Sequence, residues 1–280
     1  MTSPARSAPA LRRIALVTGA SGGIGAEIAR ALARRGFDLA LVARRGPELE
    51  ALADEIAARG RPRPVTIQLD VAAPDAAQAL LAALPDDGFE IGALVNNAGF
   101  GLRGRADELT AREQLELVDV NIRALTALTL AFLPRLKAAR GAILNVASVV
   151  AFLPGPGMAA YYASKAYVLS FSEALAQEMK GAGVSVTVFC PGPVLTEFWE
   201  RAGGALDPMR ARAAMSAREA GEASIAAMLA GRRRLTPGLS NKLIAALAPL
   251  TPRALLLPLV AKLQPKRRRP RCAEADKGRR

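Results

Sequence analysis

An apolar run, Ile14-Ala15-Leu16-Val17, leads directly into Thr18-Gly19-Ala20-Ser21-Gly22-Gly23-Ile24-Gly25, and a helical pattern follows. A buried strand, a glycine turn and a helix in that order let the backbone approach a phosphate closely and set it at a helix N-terminus. That stretch alone narrows the chain to open α/β sheets. Its spacing is T-G-x-x-x-G-x-G rather than the commoner G-x-G-x-x-G.

The same alternation continues downstream. Short apolar runs with few charges predict strands at residues 14–17, 38–43, 65–69, 93–95, 142–146 and 184–189, buried on both faces of a parallel sheet. A further strand end reads Thr236-Pro237-Gly238. Helical patterns occupy residues 24–35, 48–59, 75–84, 111–137 and 161–180. Repeated β-α units with right-handed crossovers imply a doubly wound α/β (Rossmann) fold with a parallel seven-stranded sheet. Its ligand crevice lies beyond the C-terminal ends of the strands.

Two helices are legible in more detail. At 111–137, Leu115, Val118, Ile122, Leu125, Thr129 and Phe132 form one apolar stripe, with Asn121 inside it. At 161–180, Val168, Ser172, Leu175 and Met179 share a face, and the same stepping backward reaches Lys165 and Tyr161. A lysine on an inward face costs free energy unless it has a partner or a task.

The net charge of +13 over 280 residues raises nucleic acid as a partner, but its distribution argues against that. Nine of those charges belong to the first 13 and last 15 residues, and no basic-aromatic interleaving offers stacking platforms. The chain divides into a flexible N-terminus (1–13), one domain (14–263) and a basic, disordered tail (264–280). Cys190 and Cys272 have no metal-like spacing, so a reducing cytoplasm is expected. With no histidine present, a Ser-His-Asp triad, a histidine base and most zinc sites are excluded. The N-terminal apolar run serves better as a strand than as a signal peptide. Residues 243–263 are apolar, but three prolines and Arg253 make them a poor spanning helix.

Tyr161 and Lys165, four apart, are neighbours on one helical face. An ammonium beside a phenol lowers its pKa, and a tyrosine so tuned can exchange a proton with a substrate oxygen. Other polar groups stand at strand ends: Asn96-Asn97-Ala98-Gly99 after the fourth strand, Ser148 after the fifth, and Pro191-Gly192 after the sixth. Together with the glycine turn and Asn121, this set resembles the short-chain dehydrogenase/reductase family, in its T-G-x-x-x-G-x-G and Y-x-x-x-K subtype. The likeness covers roughly residues 14–196.

The resemblance implies roles. Tyr161 is the general acid/base, and Lys165 binds the nicotinamide ribose and depresses the tyrosine pKa. Ser148 bonds the substrate carbonyl, and Asn121 holds a water behind Lys165, its main chain opening the helix. Gly19, Ser21, Gly23, Ile24 and Gly25 cradle the pyrophosphate. Asp70 and Val71 meet the adenine, and Asn97, Ala98 and Gly99 line the adenosine ribose. Pro191, Gly192, Val194 and Thr196 contact the nicotinamide end. The family also implies a homodimer or homotetramer built on the helices at 111–137 and 161–180, and a small-molecule carbonyl or alcohol as substrate. A binding protein without turnover is the rival; the intact set of Asn121, Ser148, Tyr161 and Lys165 counts against it.

NAD-preferring members end the second strand with an acid for the ribose 2′-hydroxyl. Here Ala43 takes that place and Arg44 follows, a guanidinium suited to a 2′-phosphate, with Ser21 near enough to add a hydrogen bond. NADP(H) is therefore favoured over NAD(H).

Beyond residue 196 the motifs stop. Phe198, Trp199 and Met209 are expected in a substrate lid, with Trp199 packing it against the core. Leu239, Leu243, Leu247 and Leu250 form the apolar stripe of one helix, and a second helix over 253–263 is interrupted or kinked at Pro258. This extension resembles that of a poorly characterised branch of the family. It is expected to pack on the substrate mouth or to join copies, in preference to lying on a membrane beside Lys266-Arg267-Arg268-Arg269.

Overall fold

The computed structural model describes residues 12–84, 89–204 and 208–263. The expectations for residues 1–11 and for the tail at 264–280, including Cys272, fall outside them.

The first half runs β1 (Arg12–Thr18), α1 (Gly23–Arg34), β2 (Asp38–Ala43), α2 (Gly46–Ala58), β3 (Val65–Gln68), α3 (Ala76–Ala83) and β4 (Phe89–Asn96). Next come α4 (Ala111–Val118), a π-turn (Asp119–Ala124), α5 (Leu125–Ala138), β5 (Ala142–Val146), α6 (Ala159–Glu178) and β6 (Ser185–Phe189). The remainder contains β7 (Val194–Leu195), α7 (Phe198–Arg201), α8 (Pro208–Arg212), β8 (Met215–Ser216), α9 (Ala217–Leu229), β9 (Arg234–Leu235), α10 (Leu239–Leu247) and α11 (Arg253–Leu263).

Seven strands pair in the order β3-β2-β1-β4-β5-β6-β9, all parallel. The order reverses between β1 and β4, so a crevice opens beyond their C-terminal ends. Strand residues alternate between two cores. Ala15, Val17, Leu39 and Leu41 face Ile28, Leu32, Leu49 and Ile225 of α1, α2 and α9. Ile14, Leu16, Ala40 and Val42 face Leu80, Leu128 and Phe132 of α3 and α5. Burial on both faces is what makes these strands continuous apolar runs.

Several expectations need correction. Arg12 and Arg13 are part of β1 rather than of a flexible terminus. Arg12 pairs with Asp38 and lies over the Phe89 ring, and Arg13 meets Glu90 at 3.0 Å. β4 starts four residues before the predicted run, because Phe89, Glu90 and Ile91 pair with β1 despite the charge, and the register then skips Gly92 at a bulge. The helix at 111–137 is not one regular helix, and the π-turn lies in the middle of it. Leu115, placed in its buried stripe, is exposed, while Leu117 is fully buried. The stretch Ala111–Ala138 is long and apolar enough by composition to cross a bilayer, yet it flanks the sheet with Leu128, Phe132 and Leu136 buried.

The extension differs too. Leu239, Leu243, Leu247 and Leu250 all point outward. The inward contacts come from Ala248, Leu256 and Val260, which pack with Met158, Tyr161 and Tyr162. α11 continues through Pro258 as one helical element.

Candidate active site

The glycine turn and the segment after β4 hold each other in place. Thr18 Oγ1 donates to Val95 O at 3.1 Å and accepts from the backbone N–H groups of Asn97 and Ala98 at 3.0 and 3.1 Å. Asn97 Nδ2 donates to Thr18 O and Gly19 O at 3.0 and 3.2 Å. Thr18 had no role assigned from sequence, although it opens the glycine motif. Gly19 takes a left-handed φ of +67°. A Cβ at Gly25 would lie 2.2 Å from Gly19 O and 2.5 Å from Asn97 Nδ2. No side chain fits there. Gly25→Ala is expected to spread the turn, costing about 1–3 kcal/mol of stability and weakening NADPH binding at least about tenfold. Thermal melting and a fluorescence titration check both.

At the other end of the crevice, β5 delivers Ser148 and α6 delivers Tyr161 and Lys165. All three are buried, as is Asn121 on the π-turn. Ser148 Oγ donates to Pro191 O at 3.4 Å and accepts from Val150 N–H at 3.3 Å. It also hydrogen-bonds the Tyr161 phenol. Lys165 Nζ donates to Val146 O at 2.9 Å and lies 6.0 Å from the Tyr161 ring centre. Asn121 Nδ2 donates to Phe100 O and to Ser164 Oγ, both at 3.0 Å, and Asn121 Oδ1 accepts from Phe100 N–H at 3.1 Å. Ser164 Oγ passes the chain on to Tyr161 O at 2.7 Å. Asn121 therefore spends its side chain on tying Phe100 to α6. Its main chain lies in the π-turn, a break in the regular ladder of the kind that recurs at functional sites.

Burial sets the ionisation of this cluster. Desolvation pushes the Tyr161 phenol well above its ordinary value, and the Ser148 hydrogen bond only partly opposes that. Desolvation lowers the Lys165 ammonium to about 8. The expected depression of the tyrosine pKa by Lys165 is thus not met here. The reason is geometric: Lys165 points at a carbonyl, and both groups lose water.

One cavity of about 640 Å³ joins the two ends. Every cofactor and catalytic position singled out from the sequence lines it, except Asn121. Gly19, Ser21 to Gly25, Arg44, Asp70 and Val71 lie at one end; Ser148, Tyr161, Lys165, Pro191 to Val194 and Thr196 lie at the other. The glycine cradle and the α1 N-terminus fit a dinucleotide.

Arg44 and Arg45 diverge. Arg44 is exposed and approaches only Asp70, at 3.8 Å. Arg45 turns back, donating through Nε and Nη2 to Ser21 Oγ at 3.2 and 3.1 Å and through Nη2 to Ser21 O at 3.1 Å. Its charge faces Glu48 at 3.2 Å and Glu197 at 3.6 Å. Arg45 had no role assigned from sequence, because two adjacent arginines look alike until the turn into α2 separates them. Trp199 is half-buried, donates to Val194 O at 3.3 Å and lines the cavity edge-on to Phe198. Met209 falls in α8, next to residues outside the description.

Residues 13–205 match the family model for short chain dehydrogenases. The chain belongs to the short-chain dehydrogenase/reductase family. It is 38% identical over 188 residues to sulfoacetaldehyde reductase 2 of Chromohalobacter salexigens, covering 66% of this chain and 74% of that one. It is likewise 38% identical over 191 residues to a short chain dehydrogenase of Pseudocercospora fijiensis, where the match covers 66% of this chain but only 60% of the relative's length. A short-chain dehydrogenase from Sphingobium yanoikuyae, solved in complex with NADPH, superposes with a TM-score of 0.75 at 35% identity, covering 86% of this chain and 97% of that one. This short-chain dehydrogenase/reductase is therefore an NAD(P)-dependent oxidoreductase with the Rossmann-like sheet described above.

Proposed function

We propose that this enzyme uses NADP(H) to interconvert a carbonyl and an alcohol, with Tyr161 as general acid/base. The observation that carries the reading is the shared cavity: Ser148, Tyr161 and Lys165 converge at one end of a cleft whose other end is the glycine cradle. When bound there, the nicotinamide cofactor supplies or accepts the hydride. Ser148 Oγ donates a hydrogen bond to the substrate oxygen and holds its developing negative charge. The Tyr161 hydroxyl, kept protonated by burial, gives its proton to that oxygen in reduction and recovers it in oxidation. The Lys165 ammonium stabilises the tyrosinate that results. Asn121 acts through Ser164 and the π-turn, positioning α6 under this pair.

The far wall is formed by Phe100, Leu153, Met158, Tyr162, Phe198 and Val260, so the substrate we infer is apolar and bulky rather than a sugar. The reading includes one domain over 12–263, a reducing cytoplasm, and an assembly of two or four copies. Exposed Leu115, Leu130 and Tyr167 on α4, α5 and α6 suit such a contact.

Preference for NADP(H) is supported by Arg45 and Ser21 standing beside Arg44 at the adenosine end, where no acid follows β2. Arg45→Ala should raise the KM for NADPH about tenfold or more and leave that for NADH nearly unchanged, since a charge-assisted hydrogen bond to phosphate is lost. Arg44→Asp should shift preference in the same direction. Steady-state kinetics with both cofactors checks this, and an unaltered preference in both variants would sink it.

A further inference from the structure

We propose that the helical pair α10–α11 docks on an anionic lipid surface, with its outward leucines in the interfacial layer of the bilayer.

Leu239, Leu243, Leu247, Leu250, Leu255 and Leu259 are 53 to 79% exposed. Within α10 the spacing 239-243-247 keeps three of them on one side of the helix. They are not the loose outer side of a floppy appendage. Ala248, Leu256 and Val260 are buried against Met158, Tyr161 and Tyr162, so the core anchors the pair while the leucines face away. So many exposed leucines on two neighbouring helical segments of a chain with a well-filled core mark an interaction site.

Charge selects the occupant. From Leu239 to Leu263 the only charged residues are Lys242, Arg253 and Lys262, all exposed and all cationic. The sequence continues past the described residues with Lys266-Arg267-Arg268-Arg269. An apolar helical face bordered by lysine and arginine, with no acid, matches an anionic headgroup layer, into which long cationic side chains reach while the leucines enter the acyl boundary. A second copy fits less well, since a two-fold contact would gather the like charges of both copies at one interface. From sequence alone, packing over the site or joining copies ranked above this role; Ala248, Leu256 and Val260 do pack over the site, and the outward leucines leave a second face of the same helices for this role. Val260 and Leu263 also line the catalytic cavity, so the docked face borders its mouth.

Co-sedimentation of the full chain with phosphatidylcholine vesicles, with and without phosphatidylglycerol, tests the proposal. Binding should require phosphatidylglycerol and weaken with added salt. Leu243→Glu/Leu259→Glu should lower vesicle partition at least about tenfold. Lys242→Gln/Arg253→Gln/Lys262→Gln, which leaves the packing intact, should also lower it about tenfold. None of these residues lines the cavity, so NADPH binding and the circular dichroism melt serve as fold controls. Full recovery of the parent protein in the supernatant with anionic vesicles overturns the proposal. So does sedimentation velocity showing an oligomer that the leucine variant dissociates. Vesicle binding does not depend on the catalytic reading, so either can fail alone.

Discussion

Tyr161→Phe is expected to reduce carbonyl turnover about a thousandfold or more while NADPH binding persists, because the variant keeps the ring and loses only the exchangeable proton. The ring is held by its T-shaped contact with Tyr162 at 6.2 Å and its tilted contact with Phe198 at 5.5 Å, neither of which needs the hydroxyl. Folding should be little affected. Tyr162→Phe is the internal control: it removes a hydroxyl from a residue that lines the same cavity, and it should alter KM for the carbonyl more than kcat. Stopped-flow binding of NADPH and steady-state turnover separate the two effects. A Tyr161→Phe enzyme as active as the parent would remove the proposed proton donor.

The positions of Tyr161 and Lys165 on one helical face were legible in the sequence, but their ionisation was not. Four-residue spacing says that two groups are neighbours; it does not say how much water either retains. Five of the six longer strands were legible because burial on both faces leaves apolar runs, as in Ala142–Val146; the edge strand β3 is half-exposed, with Val65 and Gln68 outward, contrary to the two-sided burial expected of it. β7, β8 and β9 have two residues each, too short for any periodicity to register. The leucine stripe of α10 illustrates a deeper limit. Periodicity identifies a face, and only the packed molecule says whether that face looks inward or outward. The pair Arg44-Arg45 is another case, in which adjacent identical side chains acquire different partners from the local turn.

The second large effect concerns stability and is opposite in sign to the loss of function. Lys165→Met should abolish turnover yet stabilise the fold at neutral pH. Burying the ammonium lowers its pKa from 10.5 to about 8, equivalent to about 3 kcal/mol of destabilisation while both states are protonated. Losing the hydrogen bond to Val146 O gives back about 1–2 kcal/mol of that gain. A net stabilisation of about 1–2 kcal/mol remains.

The pH dependence follows from the same displacement. Folded Lys165 releases its proton near pH 8, and the unfolded lysine releases its proton only near 10.5. Between those values the unfolded chain holds more protons, so parent stability rises with pH and the advantage of the variant shrinks. Buried Tyr161 acts oppositely. Its folded pKa lies above the ordinary 10.0, so stability falls as the unfolded tyrosine ionises above that pH. The usable window is therefore about pH 8 to 10, across which the gap between parent and variant should close by about 2 kcal/mol. Urea unfolding of both proteins at intervals across that window measures it. A gap that is constant with pH would mean that Lys165 is not desolvated in the folded protein.

The central claim is that the cavity joining the glycine cradle to Ser148, Tyr161 and Lys165 is a working NADP(H)-dependent carbonyl/alcohol site. Its most direct test follows NADPH oxidation over a panel of bulky apolar ketones and aldehydes, with parent and Tyr161→Phe enzymes side by side. The account predicts carbonyl-dependent oxidation by the parent enzyme that collapses in the variant while NADPH remains bound. Oxidation no faster in the parent than in Tyr161→Phe across the panel would contradict it.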